Sequence, residues 1–163
     1  MNPAKAISLT RILIGFIGIF LAVYLLPDTE GALRVIATLL VGVVGLLAFI
    51  SHVIFHRADA ARLGWDEKNP GWQLEVGFAN LAFGAAALIA VAGNWGFESL
   101  ALITIGYTIY LLQAAVLHCY NYFHETGRPF GYLVRSSLLT MVYVAAMLVF
   151  TFMVMMDNHI WPL

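Results

Sequence analysis

Charge is what this chain has least of. Only 10% of its 163 residues are Asp, Glu, Lys or Arg, 62% are hydrophobic, and mean hydropathy is +0.89. Soluble domains carry about one quarter charged residues, so the composition belongs to the membrane class. A net charge of −1 gives no argument for nucleic acid or an acidic partner. The single cysteine, Cys119, has no second thiol with which to close an internal disulfide. Beside His118 it offers a soft metal ligand, but a small buried apolar residue explains it better. Phosphate-binding P-loops, nucleophile elbows, HExxH and CxxC signatures are all missing, which removes support for the enzymes built on them. Whether the chain is an enzyme of another kind stays open.

Long apolar runs are what the chain has instead. Five of them, at about 6–26, 33–55, 72–92, 99–123 and 132–156, are long enough to cross about 30 Å of hydrocarbon at 1.5 Å per residue. The first resembles a signal peptide but lacks a small-x-small cleavage site, so it is read as a span. Asn2 and Pro3 suit its cap and first turn. No repeat, low-complexity tract or linker divides residues 1–163, which predicts one transmembrane helical domain. Seven Lys and Arg (Lys5, Arg11, Arg57, Arg62, Lys68, Arg128, Arg135) fall on one side of these spans, and only Arg34 on the other. The positive-inside rule then predicts an all-α five-helix bundle with a cytoplasmic N-terminus and an outside C-terminus. Trp65 and Trp72 flank the loop between spans two and three as interfacial anchors. Ala82, Ala86 and Ala90 form a small-residue stripe that would place span three centrally. The Met- and aromatic-rich fifth span reads as an outward-facing surface.

Ionisable groups gather in one layer near the cytoplasmic interface. His52, His56 and Asp59 lie at spacings of four and three after the second run. Glu75 is one turn into the third, and His118, Asn121, Tyr122 and Glu125 share a face at the end of the fourth. Arg135 is one turn into the fifth. Asn80, deeper in the third span, needs a hydrogen-bond partner. Charged groups inside a span cost several kcal/mol at mid-bilayer, so they mark candidate sites. Imidazole and carboxylate together are the ligand set of zinc, iron or manganese, and His52, His56, Glu75 and His118 would supply four ligands from three helices. A haem held between histidines of spans two and four is a variant. The structural alternative pairs Glu75 with Arg135, hydrates His56 and bonds His52 to a carbonyl, with solvation sufficient for Asp59 and His124. On that reading the chain is an accessory subunit of a larger membrane complex or a homo-oligomer. A small carrier or proton path is a third reading, with Glu75 and His118 titrating.

The succession HVIFHRADAARLGW, NPGWQLEVGFANLAFG and LLQAAVLHCYNYF, over residues 45 to 123, resembles a family of small bacterial polytopic membrane proteins of unassigned function. Its most specific parts are His56, LGW at 63–65, QLEVGFANL at 73–81 and His118. The resemblance implies an all-helical fold in a bacterial inner membrane and a grouping of His56, Glu75, Asn80 and His118. It implies no reaction.

Overall fold

A computed structural model of the protein describes residues 2–65, 68–124, 127 and 130–160, apart from the side chain of Arg135. All regular structure among them is helical: α1 (Pro3–Leu25), α2 (Thr29–Ile54), α3 (His56–Leu63), α4 (Gly71–Ala92), α5 (Phe97–His124) and α6 (Phe130–Asp157). Every one except the short α3 is long and apolar enough to cross a membrane. At 1.5 Å per residue these five measure about 33–42 Å. The five expected spans fall on them, with ends displaced by no more than four residues.

Local chemistry sets the helix ends. Pro3 occupies the first turn of α1, and the Asn2 side-chain oxygen accepts the Ala4 N–H at 2.9 Å. Asp28 caps α2 in the same way, accepting from the Gly31 N–H at 2.9 Å. Within α2 the stretches Ala37–Val43 and Ile50–Ile54 are wound as π-helix, and Phe55, at φ −106° and ψ 31°, interrupts the helix. His52 therefore lies in an irregular segment of the kind that often accompanies functional sites. Gly64, at φ 71°, ends α3 in the left-handed conformation, and the Trp65 N–H returns to the Ala60 carbonyl at 2.9 Å. That turn directs Trp65 back toward the bundle.

The centre of the bundle is α2, half buried along its most apolar stretch, whereas α1 is 17% buried and α4 28%. The expectation of a central third span therefore shifts to the second. Gly42 and Gly45 of α2 meet Gly84 of α4 with no side chain between them. A Cβ on Gly84 would lie 3.0 Å from the Gly42 carbonyl oxygen, and one on Gly45 would lie 3.0 Å from that of Asn80. Close backbone approach through small residues is the usual way membrane helices associate. The buried seam of α4 runs through Gln73, Gly77, Asn80, Gly84 and Ala87 at alternating spacings of four and three. Of the expected alanine stripe only Ala90 lies on this seam, since Ala82 is exposed and Ala86 half-buried. Met147 and Phe150 of α6 join Leu40, Val41, Ala87 and Tyr107 in the core. Only the other side of α6, including Val149, Phe152 and Met156, is exposed, so the outward reading holds for half of that helix.

The two ends differ. The starts of α1 and α4, together with α3, form a basic end carrying Lys5, Arg57, Arg62 and Lys68. At the opposite end Thr29 donates to Asp157 at 2.7 Å, and Arg34 donates to the Val91 carbonyl at 3.2 Å and to Asn94.

Candidate functional site

Between the spans, toward the basic end, lies a cavity of about 350 Å³. This is the size range of small-molecule sites. All five long helices contribute to its wall. Along α5 the lining runs from Tyr107 to His118, a rise of about 16 Å. The middle is mainly apolar, with Val76, Leu111, Ala114, Leu117 and Leu139, interspersed with Gln113, Ser136 and Thr140.

The deep end is built on Asn80. Its side-chain oxygen accepts from the Tyr107 hydroxyl at 2.7 Å, and its amide donates to the Val76 carbonyl at 2.7 Å and the Tyr110 hydroxyl at 3.0 Å. Asn80 thus finds the partners its depth requires. Tyr107 and Tyr110 stand one turn apart with ring centroids at 5.9 Å. From α6, Tyr143 donates to the carbonyls of Ile12 at 3.0 Å and Arg11 at 3.3 Å. Arg11 also lines this end, and its positive charge bears on Tyr107, Tyr110, Tyr143 and His52.

The shallow end is built on Asp59, a fully buried carboxylate. The His52 Nδ1 lies 2.7 Å from its Oδ2, and Arg62 donates to its Oδ1 through Nε at 3.0 Å and a terminal nitrogen at 2.6 Å. Burial pushes the carboxyl up, but the hydrogen bond and charge of His52 and the charge of Arg62 outweigh it and lower its pKa from 3.8 to about 2. An ionised carboxylate only accepts, so Nδ1 of His52 carries the proton and Nε2 is left for the cavity. Both cavity-lining imidazoles stack on Trp65: His52 at 5.7 Å and 30°, His118 at 6.1 Å and 8°. Trp72 meets Trp65 edge-on at 4.3 Å. His118 is further held by the Tyr132 hydroxyl, 2.7 Å from its Nδ1.

The structure distributes the candidate residues unevenly. His52, Asn80 and His118 line the cavity, and Asp59 stands directly behind His52. Solvation therefore does not account for Asp59. His56 turns away, its Nδ1 3.1 Å from the Val53 carbonyl, because the Phe55 break separates it from the helical face of His52. Glu75 is exposed on α4, on a side away from the buried seam, and Asn121 is half-buried; neither lines the cavity. Among the described residues, no three His, Cys, Asp or Glu side chains are grouped to hold a metal ion, so His52, His56, Glu75 and His118 do not form one donor set. Cys119 is half-buried and outside the cavity lining. Glu125 and the Arg135 side chain lie outside the described residues.

Sequence reasoning missed Arg11, Arg62, Tyr107 and Tyr110. Their signals were a lone cation two turns into the first span, an Asp-x-x-Arg spacing, and two phenols three residues apart facing Asn80. No curated protein and no solved structure matches the chain. A family model matches residues 5–159, and the chain accordingly belongs to a family of unknown function (DUF6790).

Proposed function

We propose that this chain is an integral membrane protein that binds a compact organic molecule, with an apolar body and polar groups, in the cavity at its basic end. The observation that supports this reading best is the cavity itself. Its mainly apolar middle lies between two polar ends at which Asn80, Tyr107 and Tyr143 on one side and His52, Asp59 and Arg62 on the other are fixed by hydrogen bonds before any ligand arrives. Pre-ordered polar groups in an apolar pocket are the usual design of a small-molecule site. In the membrane the basic end faces the cytoplasm and the C-terminus faces outside, a placement supported by the concentration of Lys and Arg at that end.

Ala114 lines the middle of the cavity, and Ala114→Trp would fill it. Wild type and variant are purified from the same membranes in neutral detergent, checked for equal helicity, and extracted with organic solvent for mass spectrometry. Wild type is expected to release a compound in near-stoichiometric amount that the variant lacks. Identical extracts from the two proteins would overturn the reading.

A further inference from the structure

We propose that Arg11 is an anion-recognising residue and that the cavity takes an organic carboxylate; this rests on the reading of the cavity as a ligand site.

Three observations converge on Arg11. It stands two turns into α1 and lines the cavity. Among the described residues its guanidinium has neither an ion-pair nor a hydrogen-bond partner, whereas the other cavity arginine, Arg62, is fully engaged by Asp59. It shares the cavity lining with Asn80 and with Tyr107, which is entirely buried. A cation so deep in an apolar span is costly unless a counter-charge meets it. Among the described residues no carboxylate lines the cavity: Asp59 is behind His52, and Glu75 is exposed elsewhere. With no carboxylate from the described residues in the lining, a ligand carboxylate would supply the counter-charge.

The neighbouring hydroxyls narrow the chemistry. Tyr107 donates to Asn80, Tyr143 to the Ile12 and Arg11 carbonyls, and Tyr110 to the Val76 carbonyl at 3.3 Å. With these hydrogens committed, Arg11 is the charged donor left at the deep end. Its planar fork suits the two oxygens of a carboxylate. The apolar middle, about 16 Å from Tyr107 to His118 along α5, then accommodates a hydrocarbon body. A volume of about 350 Å³ corresponds to about a dozen water-sized groups, which suits an acid of medium chain length.

Calorimetric titration of the full chain in neutral detergent would use three probes: octanoate, octanol and acetate. The wild type should bind octanoate at least tenfold more tightly than octanol, and acetate not measurably. Arg11→Gln should abolish the preference for octanoate, and Arg11→Lys should keep part of it. Equal binding of octanoate and octanol by the wild type would overturn the anion inference while leaving the cavity reading standing. Binding of neither would overturn both. Acetate binding as tightly as octanoate would show a simple anion site and overturn the carboxylate-with-body assignment. If Arg11→Gln fails to fold, the wild-type comparison of octanoate with octanol decides alone.

Discussion

Replacing Asp59 by asparagine keeps the shape of the side chain between His52 and Arg62 but removes its charge. The pKa of the carboxyl is lowered from 3.8 to about 2, so the folded state favours the ionised form. At about 1.4 kcal/mol per unit, that difference contributes about 2.5 kcal/mol. The sign follows from the depression: the contribution is fully present above pH 3.8 and is lost as pH falls through 2. Asp59→Asn at pH 7 should therefore lower stability by about 2.5 kcal/mol. The loss approaches about 3–5 kcal/mol if Arg62, 12% exposed, stays in place without its partner. For a chain of this length the smaller figure corresponds to a fall in Tm of about 5–10 °C. Thermal unfolding in detergent, followed by loss of monodisperse protein, would measure it. Repeated at pH 3, the gap should shrink by about half, because the wild type has by then lost that share of the contribution. Equal Tm values at pH 7, or a gap unchanged at pH 3, would refute the account of Asp59 as an ionised anchor.

Gly84→Ala should destabilise by about 1–3 kcal/mol, since its methyl would press on the Gly42 carbonyl and the Leu46 nitrogen, while Ala82→Leu on the exposed side should leave Tm unchanged. Tyr107→Phe should cost about 1–3 kcal/mol by leaving the Asn80 oxygen buried without its donor, as read by Tm against the wild type. In a Cys119→Ser background, a cysteine at Lys68 should react with a membrane-impermeant thiol reagent only from the cytoplasmic side, and one at Asn158 only from outside. Both reacting from the same side would mean that the number of crossings between these two positions is even, against the three expected.

The five helices were legible because about 20 consecutive apolar residues fit a membrane crossing and little else. The site was legible only where burial forces a partner, as at Asn80. A carboxylate within a span invites an inward placement, yet the buried seam of α4 passes through Gln73 and Gly77 and leaves Glu75 outside. Two residues from either, Glu75 is rotated by about 200° at 3.6 residues per turn. That seam of small and amide side chains is visible in the sequence and would place Glu75 correctly. Asp59 looks solvated because it follows the end of a span. Its burial depends on the Phe55 break and on the way α3 packs, neither of which periodicity reveals. Tyr107 and Tyr110 pass for ordinary apolar residues, since a phenol in an apolar run announces its hydroxyl only once the facing helix is known.

The bonds that tie the first two helices to the last carry a consequence for biosynthesis. Tyr143 reaches the Arg11 and Ile12 carbonyls across a sequence separation of more than 130 residues, and Thr29 reaches Asp157 across 128. A nascent chain inserts its helices in order, so α1 must wait, with Arg11 uncovered, until α6 has been made. The cavity is consequently closed only once α6 is in place. Ribosome-stalled or C-terminally truncated chains ending before residue 143 would carry the basic residues and the Trp65 cluster but have one wall open, and would be natural substrates for membrane quality control.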